Sequence, residues 1–260
     1  MNHSGRADYE KITLAAHESF VCREVCGPRF EAPWHFHPEI ELTTILSSSG
    51  QRFVGDSIES FIPGDLVLLG SETPHYWHTL STGGPDHARA IVIQFRADFP
   101  GETFFNLPEM NRVGRLLRRA KAGLVFESEE RIRIVEHMTD LVSTDSARRL
   151  PALLDLLLTL AEDIDGRLLS SPDFESISDP KAGERINRCC QFIIDRLDQD
   201  IPLAEAAGVA GMSPSAFCRY FKRVTGRTFS RFVNELRIGQ AGWDLLETER
   251  SVSEIAYAVG

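Results

Sequence analysis

The stretch Ser213–Arg231, SPSAFCRYFKRVTGRTFSR, constrains this chain more than any other. Ser213 before Pro214 is a helix start. The hydroxyl caps the first turn, and proline fits there because its missing N–H would have no partner anyway. Phe217, Phe221 and Val224 recur at i, i+4 and i+7 and lay one apolar stripe along a helix, which Gly226 ends. Arg219, Lys222 and Arg223 occupy the other face, and Arg227 and Arg231 follow. The stretch holds five basic residues and no acidic one, in a chain of formal net charge −10. Positive charge gathered against the global sign is the footprint expected where a helix meets a polyanion. Upstream, Leu203, Ala206, Ala207 and Ala210 predict a short helix whose small residues let a second helix cross closely. Gly211-Met212 is the turn between them. Two short helices, a tight turn and a cationic second helix predict a helix-turn-helix. The same pattern also suits a plain helical hairpin with a solvated charged face.

The run LAEAAGVAGMSPSAFCRYFKRVTG, followed by RIGQAGWDLLETE and SVSEIAYAVG, resembles the DNA-binding domain of the AraC/XylS family of bacterial transcription regulators. The resemblance implies two helix-turn-helix units joined by a long helix, entering successive major grooves of double-stranded DNA. That helix is expected over roughly Phe229 to Leu246, with Phe232, Leu236, Ala241 and Leu245 inward. By the same resemblance Ser215, Cys218 and Arg219 fall at base-reading positions. Arg219 is suited to pair with guanine, or else to form a salt bridge to Glu205. Lys222, Arg223 and Arg227 are expected on phosphates. The second unit opens at Ser251–Gly260, where the sequence stops before the second recognition helix. This implies either a shortened product or a chain that has lost half its reading head, in which case a sensor and dimer former with a defective DNA-binding head is the competing reading.

Between residues 12 and 97 the pattern is that of strands. Apolar runs at Phe20–Val25, Glu39–Leu46, Gln51–Val54, Asp65–Leu69 and Ala90–Phe95 are separated by Gly, Pro, Ser and Asp turn signals, which predicts a sandwich or barrel. Two motifs lie at its centre, PWHFHPEIEL (Pro33–Leu42) and IPGDLVLLGSETPHYWH (Ile62–His78). They are similar to the two motifs of the cupin fold, a small double-sheet barrel with an internal pocket. In metal-binding cupins the corresponding positions are ligands, and here they are His35, His37, Glu41 and His75. Alternate strand residues share a face, so His35, His37, Glu39 and Glu41 are expected on one side. Imidazoles and a carboxylate together suit a divalent zinc, iron, nickel or manganese ion. Regulators with such barrels also use the pocket for a sugar or another small polar ligand. Trp77, among the flanking aromatics Trp34, Phe36, Tyr76 and His78, is the candidate to stack on it, although aromatics in a barrel also serve as core. A three-His, one-Glu site could support catalysis as well. The fused DNA-binding unit argues instead for a sensor that is not an enzyme.

After the barrel the periodicity becomes helical at Pro108–Ala122, Glu129–Val142 and Pro151–Ile164. The last is apolar nearly all round, which predicts burial on more than one side or a homodimer interface; family members commonly dimerise through this region. The basic face of the first is expected to be solvated or to pair with acidic groups of the barrel. Gly166–Pro180 reads as a flexible linker. Ile186, Cys189, Cys190, Ile193, Ile194 and Leu197 then form an amphipathic stripe that braces the helix-turn-helix. The expected organisation is α+β: a cupin-like ligand-sensing barrel at 1–100, a helical connector and dimerisation region at 101–165, a linker at 166–180 and an all-α DNA-binding domain at 181–260. The five cysteines lack a CxxC pair, and Cys22 and Cys26 read as two thiols on one strand. With a polar N-terminus and no segment long enough to span a membrane, this points to the cytoplasm.

Overall fold

The computed structural model describes residues 18–30, 32, 34–81, 83–84, 87–162, 166–171, 174 and 180–260, with the backbone alone at 146 and 180–182. The expected start of the β region at residues 12–17 lies outside the described residues. Seven strands follow: β1 (Val21–Gly27), β2 (Ile40–Ser47), β3 (Gly50–Val54), β4 (Ser57–Phe61), β5 (Leu66–Leu69), β6 (His75–Thr79) and β7 (Ala88–Phe95). Two more are very short, β8 (Leu124–Val125) and β9 (Arg167–Leu168). They form two sheets, β1-β7-β2-β5-β8-β9 and β4-β3-β6. The sheets face one another as an open sandwich, not the closed barrel that the motifs led us to expect. Val54, Phe61 and Trp77 of the small sheet pack against Ile45, Val67, Leu69 and Ala90 of the large one.

Strand alternation builds the remaining layers. On the large sheet Ile40, Leu42, Leu66, Leu68, Ile91, Ile93 and Phe95 point away from the sandwich, into a core with α1 (Asn111–Arg119), α2 (Arg131–Ser143) and α3 (Ser146–Glu162). α3 starts five residues before the expected Pro151, and it carries that proline inside. Its Leu153, Leu156, Leu157 and Leu160 are buried, but Leu150 and Leu158 are 39% and 37% exposed. Of the two expectations, burial on more than one side is not met within this chain, where one face is buried and Leu150 and Leu158 stay partly exposed. The basic side chains of α1 are exposed, except that Arg119 donates to the Gly166 carbonyl.

Part of the expected linker is ordered sheet. β9 pairs with β8, and Ser170 donates to the Val54 carbonyl. Arg167 pairs with both Glu59 and Glu127. Two-residue strands are too short to show a period, which is why the pattern missed them.

The C-terminal half contains α4 (Pro180–Ile194), α5 (Leu203–Val209), α6 (Pro214–Thr225), α7 (Phe229–Glu247) and α8 (Val252–Val259). Ser213 caps α6 by accepting from Ala216 N–H, and Gly226 closes it in the left-handed region at φ 69°. Phe217, Phe221, Phe232 and Leu236 are fully buried here, and each contributes roughly 1.5–3 kcal/mol by leaving water. Ile186, Cys189, Cys190 and Ile193 of α4 close the same core. α7 keeps Phe232 and Leu236 inward as expected, but Leu245 is 53% exposed and is corrected to a surface position.

Candidate metal centre and nucleic-acid interface

The sandwich interior holds four convergent side chains. Glu41 is the second residue of β2, whose alternation sends Ile40 and Leu42 to the helices and Glu41 and Thr43 inward. His75 opens β6. His35 and His37 sit in the segment before β2, and His35 is bridged to His75 by two backbone hydrogen bonds of 3.1 and 2.9 Å. One ligand atom from each of His35, His37, Glu41 and His75 lies within 4.8 Å of every other, and all four residues are buried. Glu41 Oε2 stands 3.0 Å from His37 Nε2 and 3.7 Å from His75 Nε2. A tetrahedral zinc with bonds of about 2.1 Å has ligand–ligand edges of about 3.4 Å, which these two distances bracket, while the widest separations, up to 4.8 Å, would have to close on an ion. Glu39, expected on the same face, lies beside His37 instead, with Oε2 3.7 Å from Nδ1, and it is not part of the cluster.

The outer contacts set the electronics. His37 Nδ1 donates to the Glu39 carbonyl at 3.1 Å, and His75 Nδ1 donates to the Thr73 carbonyl at 2.8 Å. A neutral imidazole carries one N–H, so with Nδ1 donating, Nε2 of a neutral His75 is a lone pair, buried without a hydrogen-bond partner. Nε2 of His37 is engaged by Glu41 Oε2 at 3.0 Å and by Gln94 Nε2 at 3.4 Å. A cation placed between Glu41 and His75 would meet that lone pair. Burial and the neighbouring His35 push His75 down to about 4, which keeps it neutral and ligand-ready. Burial works to raise the Glu41 carboxyl, but the positive charge and N–H that His75 and His37 offer when protonated outweigh it and hold the group well below the usual range; a bound cation would act in the same sense. Thr43 Oγ1 donates to Glu41 Oε1 at 2.7 Å, and Gln94 Nε2 donates to Glu41 Oε2 at 2.8 Å. Sequence reasoning missed both. Their only signal was an inward position on a neighbouring register: Glu41 pairs with Gln94 across β2 and β7.

Beside the cluster lies a cavity of about 120 Å³, lined by His35, Glu41 and Trp77 together with Thr43, Gln94 and apolar residues such as Val92. This is below the roughly 150 Å³ that accommodates benzene in an engineered protein cavity. Trp77 is the one flanking aromatic that points inward. Trp34, Phe53 and Tyr76 instead pack against the C-terminal half.

On α6, Ser215, Cys218, Arg219, Lys222 and Arg223 are all exposed, opposite the buried Phe217–Phe221–Val224 stripe. Among the described residues no ion pair joins Arg219 to Glu205. Arg227 differs from expectation: it is half-buried and ion-paired with Glu235, which also pairs with Arg231. Holding Arg227 in that pair turns its charge away from the role of a simple phosphate contact.

A family profile described as a helix-turn-helix domain matches residues 206–260. The HTH-type transcriptional activator RhaS of Mannheimia succiniciproducens is 22% identical over 253 residues, covering 94% of this chain and 86% of that protein. The uncharacterised HTH-type transcriptional regulator YdeC of Bacillus subtilis is 22% identical over 263 residues, covering 96% of this chain and 84% of that protein. The crystal structure of the AraC-like transcriptional activator CuxR superposes with a TM-score of 0.43 at 8% identity, over 88% of this chain and 79% of that one.

Proposed function

From the AraC-type helix-turn-helix domain that this chain carries, we propose a transcription regulator that binds double-stranded DNA through α6 and senses a small effector in the β sandwich. The carrying observation on the DNA side is the exposed basic face of a capped helix in an acidic chain. Arg219 reads a base, Ser215 and Cys218 are short side chains at its margin, and Lys222 and Arg223 hold phosphates. Arg227 serves mainly to fix the start of α7. Arg219→Ala is expected to weaken binding at one base position by about 1–3 kcal/mol, measured on operators selected from random duplexes. A uniform loss across all sequences makes Arg219 a phosphate contact instead.

The residues of the sandwich fit a divalent metal. His35, His37, Glu41 and His75 would hold it, with Thr43 and Gln94 orienting the carboxylate. When bound, the ion supplies a Lewis-acid centre next to the cavity, and a small ligand with an oxygen donor could reach it there. The convergence of four buried ligand atoms, with Nε2 of His75 lacking a hydrogen-bond partner, carries this reading. Metal analysis of the untagged protein tests it. One equivalent of metal is expected, and it is lost in the His35→Ala/His37→Ala double variant. Metal in neither protein leaves an organic-ligand pocket. The relatives are described as transcription regulators, which favours sensing over catalysis.

The domain division follows the layers: a sensor through the sandwich, a helical connector that contains α1 to α3, and a DNA-binding half from α4 onward. We assign homodimerisation to α2 and α3, where Ile132, Leu150 and Leu158 leave apolar surface exposed. Light scattering on the wild type and on Leu158→Glu tests this, with a dimer expected to fall to a monomer. Among the described residues no helix is long and apolar enough to cross a membrane. A cytoplasmic location is the reading consistent with a DNA-binding role.

A further inference from the structure

Three of the four metal-ligand candidates, His35, His37 and His75, have neighbours in sequence that face the DNA-binding half. His35 and His37 point into the site, while Trp34 and Phe36, one residue away on either side, point out of it. His75 points in, and its neighbour Tyr76 points out. Trp34 packs on Phe232 of α7, ring centroids 6.4 Å apart, and on Phe53 at 5.9 Å. Phe53 touches both Tyr76, at 5.5 Å, and Phe232, at 6.0 Å. Phe232 in turn packs on Phe221 at 5.2 Å, and Phe221 packs on Phe217 at 5.3 Å, both on the inner face of α6. Phe36 seats on α4: a Cβ built on Gly183 would stand 2.1 Å from its ring. Gln51, on the same face of the small sheet as Phe53, donates to the Glu235 carbonyl of α7 at 3.4 Å.

We propose that Trp34, Phe36 and Tyr76 form a relay, so that filling the four-ligand site and docking the helix-turn-helix half onto the small sheet are one coupled equilibrium. The inference rests on the metal reading given above. With His35, His37 and His75 drawn to one ion, the backbone of segments 34–37 and 75–78 loses its freedom. Trp34, Phe36 and Tyr76 are then held at the spacing that Phe232 and Gly183 require. Without an ion nothing draws the three rings to one point, so the same segments are freer to shift and the aromatic contacts slacken. Packed aromatic cores change in discrete steps and do not deform continuously, so a shift at the site reaches α6 as a change in docking. The relation is reciprocal: docking must raise metal affinity by the factor by which metal favours docking.

Hydrogen exchange of the full-length protein with and without Zn²⁺ tests the relay, with zinc affinity measured alongside. Zinc is expected to slow exchange of the 229–240 amides by about 5–150-fold, the usual range of such coupling. In Trp34→Leu, and separately in Phe232→Leu on the facing helix, zinc should still bind and still protect β2 and β6. The 229–240 response should disappear. If zinc binds the wild type and those amides do not respond, the relay is overturned and the metal site stands. Retention of the full response in both variants overturns it in the same way. If zinc does not bind at all, the metal reading fails and takes the relay with it.

Discussion

Replacing Thr43 with Val removes one hydroxyl and almost no volume, which isolates what holds the Glu41 carboxylate. In the structure Thr43 Oγ1 lies 2.7 Å from Glu41 Oε1, both residues are about 4% exposed, and Gln94 supplies the other oxygen's donor. A hydrogen bond to a charged group is worth about 1.5–3 kcal/mol net. Two measurements follow. The metal-free variant should lose about 1.5–3 kcal/mol of unfolding free energy in urea, because Oε1 is left buried without a donor. Zinc affinity, read by competition with a chromophoric chelator, should fall about 10–100-fold, the usual cost of removing an outer-sphere partner. The fall arises because the carboxylate no longer presents Oε2 toward His37 and His75. An affinity within a factor of three of wild type, in a variant that melts cooperatively, would refute the reasoning: the carboxylate would then be positioned by the sheet and not by its hydrogen bonds.

Other outcomes can be stated briefly. Gly226→Ala should destabilise the C-terminal half by at least about 1–2 kcal/mol, since φ 69° disfavours any side chain and the new Cβ would stand 2.6 Å from Asp56 Cβ; chemical denaturation followed by near-UV circular dichroism reads it. In the metal-free protein His75 has a folded-state value of about 4, against 6.5 for the ordinary imidazole. The unfolded chain therefore takes up a proton that the folded chain refuses. Stability is fully present above pH 6.5 and falls by about 1.4 kcal/mol per pH unit down to about pH 4. Melts across that window should lose this slope in His75→Gln. Ser213→Ala should cost about 0.5–2 kcal/mol through loss of the α6 cap, visible as earlier urea unfolding with an unchanged m-value.

Legibility divided along physical lines. His35, His37, Glu41 and His75 could be brought together from sequence through their resemblance to the cupin motifs; strand alternation alone put Glu39 with them, and it failed there because His35 and His37 precede β2. The α6 cap, stripe and stop were legible because each is a local rule. Gln94 was not, because its role depends on which strands are neighbours, and cross-strand register leaves no mark in a single sequence; Thr43, two residues along the same strand as Glu41, was open to the alternation rule and was overlooked. The direction of Trp34, Phe36 and Tyr76 was open for a related reason. Alternation fixes that they oppose the histidines, but nothing local says that another half of the protein waits on that side. The ion pair of Arg227 was not foreseen, because its partner Glu235 lies nearly two turns into the next helix. β9 was hidden inside a stretch whose prolines and serines speak for a linker, although Arg167, Ser170 and Ser171 fasten its first six residues to the sandwich.

That fastening decides where the polypeptide can be cut. A sensor fragment ending at Gly166, where composition changes, would leave β8 as a bare edge and strip Glu59 and Glu127 of Arg167. Exposed strand edges recruit other chains, so such a fragment should precipitate or form spurious oligomers on expression. Extending it to Ser171 restores the edge strand and the Ser171 N–H to Asp56 contact, at the expense of only five residues. Dimerisation measured on the shorter piece would therefore report on the wound and not on the protein.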